Sequence, residues 1–226
     1  MSYVQPGEFT RDTAYIEDRI TRDGRDGWPV EAGRYRLVAA RACPWANRTV
    51  IVRRLLGLED AISLGLPGPT HDERSWTFDL DPGGVDPVLG IERIQQAYFA
   101  RFPDYPRGIT VPAIVDVPSG GVVTNDFPWI THDFFFEWRD HHRPDAPDLW
   151  PDDVREEMDS VMKRVFTEVN NGVYRCGFAG SQEDYDAAYE RLRDRVAHQV
   201  APVGEPVLEP VERREQPVVR VLVRLL

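Results

Sequence analysis

Residues 34 to 57 read RYRLVAARACPWANRTVIVRRLLG, and the change of period inside this stretch decides the fold. Tyr35, Leu37 and Ala39, with Val38 between them, make a short apolar run without glycine or proline, the pattern of a buried or half-buried strand. Beyond it the spacing turns helical. Pro44 suits a first helical position, where its missing N–H costs nothing, and Val50, Ile51, Leu55 and Leu56 recur at helical intervals until Gly57 offers a stop. A strand therefore delivers Cys43 to the head of a helix, whose unpaired N–H groups and positive dipole end favour a thiolate over a thiol. Cys43 is the candidate nucleophile.

The 226 residues suffice for one ordinary domain or two small ones. With 38 acidic against 27 basic residues the formal charge is -11, which argues against nucleic acid or an anionic membrane face as partner. Lys163 is the only lysine, which reads as genome composition and not as a binding patch. Residues 1 to 25 carry Glu8, Asp12, Glu17, Asp18 and Asp23 without an apolar core, so neither a secretory signal nor an anchor is expected. No run reaches the ~18 apolar residues of a membrane-spanning helix. Cys43 and Cys176 form no CxxC pair, so neither a zinc site nor a disulfide scaffold is expected, and a reducing cytoplasm is the expected location. His132, His141 and His142 lack a fourth ligand and read as a helix face and its exposed end.

From the central stretch outward, residues 1–33 read as a polar extension wrapping the surface. Ala61 to Leu66 is a second strand, in a right-handed βαβ unit. Residues 67–90 form a loop long enough to imply a function, with Trp76 and Phe78 either serving it or pinning it to the core. Ile91 to Phe102 reads as a helix and Thr110 to Asp116 as a strand entered through Pro112. Gly120 and Gly121 turn into a short strand, Val122 to Thr124, and Asn125 or Asp126 caps a helix carrying Ile130, Phe134, Phe135 and Trp138. The order β-α-β-α-β-β-α is that of a thioredoxin-like fold over residues 34–142. In that fold the X-Pro before the third strand is cis, which sets Val111 opposite Cys43.

A proline-punctuated linker, 143–150, leads into an all-helical part, 151–199. Val154, Met158, Val161, Met162, Val165, Phe166 and Val169 predict an amphipathic helix that Asn170-Asn171-Gly172 breaks, and Ser181 with Asp184 predicts a capping box on another. In residues 200–226, Pro202, Pro206, Pro210 and Pro217 rule out a continued bundle. The expectation is an α/β thioredoxin-like domain followed by an incomplete all-α domain of glutathione-transferase type.

Cys43-Pro44-Trp45-Ala46 with Arg48-Thr49, Ser75-Trp76-Thr77-Phe78, Thr110-Val111-Pro112, Val123-Thr124-Asn125, Asn170 to Tyr174 and Gly177-Phe178-Ala179 together resemble the glutathionyl-hydroquinone reductases, the Xi-class glutathione transferases. The resemblance covers about residues 34 to 195. It implies that the Cys43 thiolate attacks the sulfur of an S-conjugated hydroquinone, releases the hydroquinone and is left as a mixed disulfide that a second small thiol resolves. It further implies that Trp76, Asp126 and the loop with Arg107, Ile109, Thr110, Val111 and Pro112 bind the tripeptide thiol, and that Tyr174 helps protonate the quinol. No tightly bound cofactor is implied, and the family tends to be dimeric.

Three departures from the family pattern stand out. Gly108 replaces the arginine before the Val-Thr-Val-Pro motif, with Arg107 one residue earlier. Asp126-Phe127 replaces Glu-Ser, removing a hydroxyl from the γ-glutamyl end. This points to a thiol other than glutathione, with mycothiol the natural candidate for an arginine-rich bacterial chain. The proline-rich tail reads as a truncated or frame-shifted end. Two other readings stay open: a glutaredoxin-like monothiol oxidoreductase using the same Cys43, and an inactive remnant.

Overall fold

The computed structural model describes residues 15–69 and 71–199, with side chains to residue 196. The expected tail, 200–226, and the start of the N-terminal extension lie outside the described residues. The chain divides into two compact units that meet in sequence between Leu149 and Trp150.

The first unit contains, in order, β1 (Tyr35–Val38), α1 (Pro44–Leu56), β2 (Ile62–Gly65), α2 (Ile94–Arg101), β3 (Ala113–Asp116), β4 (Val122–Thr124) and α3 (Phe127–Phe136). The sheet order is β2-β1-β3-β4, with β1 parallel to β2 and antiparallel to β3, and β3 antiparallel to β4. This is the thioredoxin-like arrangement that the order of elements predicts. β1 is central and buried along its whole length, with Leu37 opposite Leu64 on one side and Ile114 on the other, which is why it reads as a continuous apolar run.

One residue breaks that run. Arg36 is buried, and its Nε and one Nη donate to Asp86 Oδ2 at 2.9 and 2.8 Å. Asp86 Oδ1 accepts the N–H groups of Val88 and Leu89 at 3.0 and 2.8 Å, so one carboxylate ties the long loop to the central strand. Gly65 sits against the pair, and a Cβ there would lie 2.8 Å from Asp86 Oδ2. Within the loop Phe78 is fully buried and pins it to the core, while Trp76 is half-buried. α2 starts at Ile94, three residues later than the spacing predicts, because Arg93 is held extended in a bridge to Thr77. β3 likewise starts at Ala113, after the proline, which has no N–H to give a ladder.

Gly57 ends α1 with φ +74°, and a Cβ there would meet Arg143 Cβ at 2.7 Å. The N-terminal segment does more than cover a surface. Ile20 and Thr21 are buried, Thr21 bridges to Pro29, and Arg19 Nε donates to Asp133 on α3 at 3.0 and 3.1 Å.

The second unit holds α4 (Arg155–Arg164), a π-helical turn (Val165–Asn170), α5 (Asn171–Gly177) and α6 (Gln182–Gln199). The predicted break at Asn170-Asn171-Gly172 does not occur. Asn170 and Asn171 have helical dihedrals, and the path shifts register through the π turn instead of ending. Gly172 is there for packing: it is buried, and a Cβ on it would sit 3.2 Å from Leu192 Cδ1 of α6. Ser181 caps α6 as predicted, accepting the Asp184 N–H at 3.1 Å while its hydroxyl donates to the Asp184 carboxylate at 2.8 Å. No helix among the described residues is long and apolar enough to cross a membrane.

Candidate active site

Cys43 is the N-cap of α1. Its φ and ψ of -99° and 114° are extended, its N–H donates to Ala40 O at 3.0 Å, and its own carbonyl accepts the Asn47 N–H at 2.9 Å. Ala39 and Ala40 are buried at the end of β1, Pro44 opens the helix, and the thiol is half-buried. Trp45 points into the core against Phe127, ring centroids 4.6 Å apart, so it packs beside Cys43. Arg48 follows one turn on; burial lowers its guanidinium to about 10, still charged at neutral pH.

Across from the thiol lies the turn into β3. Val111-Pro112 is the cis peptide, and Cys43 Sγ donates to Val111 O at 3.5 Å. The flanking Thr110 is held twice, its carbonyl accepting from Tyr98 OH at 2.8 Å and its hydroxyl from Asn125 Nδ2 at 2.9 Å. Full burial pushes the Tyr98 phenol well above its usual value, so it stays a donor.

Asp126 caps α3, accepting the Trp129 N–H at 3.3 Å. Burial pushes its carboxyl above the ordinary value against that hydrogen bond, with Glu17 and Asp133 adding to the rise and Arg19 opposing it. Of the two capping candidates the structure therefore uses Asp126, and Asn125 does something else.

Two hydrogen bonds, Cys43 to Val111 and Asn125 to Thr110, thus tie these four residues together across the Thr110–Val111 peptide, with Asp126 following directly in sequence. Trp76 is held separately: its carbonyl accepts Ile94 N–H at 3.2 Å and its ring meets His71 edge-on at 5.1 Å. Arg107 is exposed and Ile109 half-buried on the loop before Thr110. Tyr174 belongs to the second unit, half-buried on α5, with the Phe178 ring tilted against it at 6.0 Å. Cys176 is half-buried on the same helix. His142 Nε2 contacts Phe134 O at 2.7 Å and His132 lies between Trp129 and Phe136, so both are engaged on α3.

Sequence reasoning gives Asn125 no role in the site, and passes over Tyr98 and Ile16. The usable signal was polar: Thr124 and Asn125 end a strand of valines, and a buried amide there needs partners on two sides.

The profile of the glutathione S-transferase N-terminal domain matches residues 42–133. Glutathionyl-hydroquinone reductase YqjG of Escherichia coli is 35% identical over 199 residues, aligning 84% of this chain with 60% of its own. Its glutathione-bound structure matches with TM-score 0.75 at 34% identity, over 81% of this chain and 62% of that one. A glutathione transferase from Gordonia bronchialis matches with TM-score 0.80 at 70% identity, over 81% of this chain and 57% of that one. The Xi glutathione transferase of Phanerochaete chrysosporium matches with TM-score 0.78 at 34% identity, over 84% of this chain and 65% of that one. The chain thus spans about six-tenths of the length of the curated relatives it matches. Residues 42–133 thus carry the glutathione S-transferase N-terminal domain, and agreement in sequence and in fold over more than four-fifths of the chain makes it similar to the Xi class of the glutathione transferases.

Proposed function

We propose that the protein is a thiol-dependent reductase that removes the thiol moiety from S-conjugated hydroquinones through a mixed disulfide on Cys43. The observation that carries this reading is the placement of Cys43 at the head of α1 with its sulfur 3.5 Å from the Val111 carbonyl. A thiolate there sits at a positive helix end, and beside it the Val111 backbone is available to pair with a peptide-like thiol. The relatives named glutathionyl-hydroquinone reductases supply the reaction class.

In the first half-reaction the Cys43 thiolate attacks the conjugate's sulfur and the carbon–sulfur bond breaks. Its electron pair passes to the ring carbon, which takes a proton to give the free hydroquinone. By its place in the Asn170 to Tyr174 motif, Tyr174 would help that protonation. In the second half-reaction a thiolate of the cosubstrate attacks the sulfur bound to Cys43, regenerating the Cys43 thiolate and leaving a symmetrical disulfide. The ring is reduced, and two thiol moieties are oxidised to one disulfide.

Asp126 would hold the cosubstrate's amino group, Trp76 and the Arg107 to Val111 loop the rest of it. Phe127 in place of a serine leaves the polar end of a γ-glutamyl group one donor short, and an unsatisfied buried group costs about 1 to 3 kcal/mol. This favours a different small thiol such as mycothiol, used in a reducing cytoplasm that keeps Cys43 as a thiol.

The test is turnover of an S-conjugated hydroquinone by the purified chain, with glutathione and mycothiol compared as reductants and hydroquinone measured by chromatography. Release that depends on Cys43 and is faster with mycothiol is expected. Cys43→Ala retaining the wild-type rate would end the reading, preference for glutathione would end the mycothiol assignment, and faster reduction of glutathionylated protein than of quinol conjugates would favour the glutaredoxin-like alternative.

A further inference from the structure

The hydrogen bonds around Cys43 run on past the residues that the family resemblance assigns to it. Asn125 is buried and uses both ends of its amide. Its Oδ1 accepts the Ile16 N–H at 2.8 Å, and its Nδ2 donates to Thr110 Oγ1 at 2.9 Å. Thr124 Oγ1 donates to Ile16 O at 2.6 Å, so the N-terminal segment is held to the end of β4 at both polar groups of Ile16. Tyr98 OH fixes the Thr110 carbonyl at 2.8 Å, and the carbonyl of the next residue, Val111, accepts from the Cys43 thiol. A continuous path therefore runs from Ile16 through Asn125, Thr110 and Val111 to the sulfur.

The geometry points to Asn125 as a positioning residue for the thiol chemistry, one that fixes the Val111 backbone against Cys43 by holding Thr110. This rests on the reductase reading for its substrate, although the thiol is affected whatever the substrate is. Two consequences follow from the direction of the bonds. A carbonyl accepting from S–H favours the thiol over the thiolate, so releasing Val111 shifts Cys43 toward easier ionisation. The same release costs the cosubstrate its ordered backbone partner, so thiol binding weakens. A residue that merely stabilised the fold would do neither in the folded protein.

The test uses the full chain with Asn125→Ala, Thr110→Val and Thr110→Ser. Thr110 is exposed, so Thr110→Val removes the same bond without emptying a buried position. Cys43 alkylation is followed against pH by peptide mass spectrometry, and KM for the thiol and kcat are measured separately. For Asn125→Ala and Thr110→Val the alkylation midpoint is expected to fall by about half a pH unit, as a weakened hydrogen bond to the thiol would give. KM for the thiol should rise about 3- to 10-fold in Asn125→Ala and Thr110→Val, the size of one lost hydrogen bond, with the kcat of Asn125→Ala little changed, and Thr110→Ser, which keeps the hydroxyl, should restore the wild-type alkylation midpoint. The inference is overturned if both variants fold and keep the wild-type midpoint and KM, even when their melting temperatures fall. If the wild-type chain turns over no quinol conjugate, the proposed function falls, and the alkylation midpoints still decide the role of Asn125.

Discussion

Removing Asp86 should damage this protein more than most single substitutions. Arg36 and Asp86 are 7% and 0% exposed at their side chains, so Asp86→Ala strands a guanidinium in the centre of the sheet and orphans the N–H groups of Val88 and Leu89. Breaking a buried pair from one side costs about 3 to 5 kcal/mol, because the remaining charge stays desolvated without its partner. With a urea dependence of about 2 kcal/mol per molar, that loss moves the unfolding midpoint down by about 1.5 to 2.5 M. Arg36→Met with Asp86→Leu, which removes both charges, should cost much less than either single change, since replacing a buried pair by apolar groups is often close to neutral. The assay is urea unfolding of Asp86→Ala and of the four forms of the Arg36→Met and Asp86→Leu cycle, followed by tryptophan fluorescence and circular dichroism. Single variants within about 1 kcal/mol of wild type, or a double variant as damaged as the sum of the singles, would refute the claim that this pair anchors the loop carrying Trp76.

Other expectations follow from the same structure. Gly172→Val should destabilise the helical unit by about 1 to 3 kcal/mol through overpacking against Leu192, while Gly172→Ala stays within about 1 kcal/mol because its helix propensity offsets a contact of 3.2 Å; thermal melts by circular dichroism compare them. The Asp126 carboxyl is raised by burial, so the folded protein binds its proton more tightly than the unfolded chain. Its contribution to stability is therefore lost as pH rises from the ordinary value of 3.8 through the raised one, and Asp126→Asn, which can still cap α3, should gain on wild type over that window in denaturation curves at successive pH values. Gly65→Ala should loosen the same anchor as Asp86→Ala, seen as faster proteolysis within residues 66–93, because a Cβ there meets both Asp86 Oδ2 and Arg36 Nε at 2.8 and 3.0 Å.

Much of this architecture was legible because local chemistry and tertiary role coincide. The strand that ends before Cys43, the Pro44 helix start, the Gly57 stop and the Ser181 cap are each decided by neighbouring residues, and each stands as the sequence predicts. The misreadings arise where a distant partner decides. Asn170-Asn171-Gly172 reads as a breaker, yet Gly172 is chosen by Leu192, 20 residues away, and the helical path continues through it. The Arg36–Asp86 pair is separated by 50 residues and has no local signature; in sequence Arg36 simply looks like a polar residue on a strand. Asn125 beside Asp126 could be read only as one of two possible caps. That its amide spans Ile16 and Thr110 depends on β4 lying beside the N-terminal segment, which no spacing encodes.

Whether Cys43 takes the thiol moiety from the conjugate is decided by a single turnover. The full chain would be mixed with an S-conjugated hydroquinone in the absence of any free thiol, quenched in acid, and its intact mass and peptides measured. One equivalent of hydroquinone is expected to be released and one thiol moiety to be attached by a reducible bond to the peptide containing Cys43, with nothing attached in Cys43→Ala. Hydroquinone released while Cys43 stays unmodified, or a thiol moiety found on Cys176 instead, would contradict that role for Cys43.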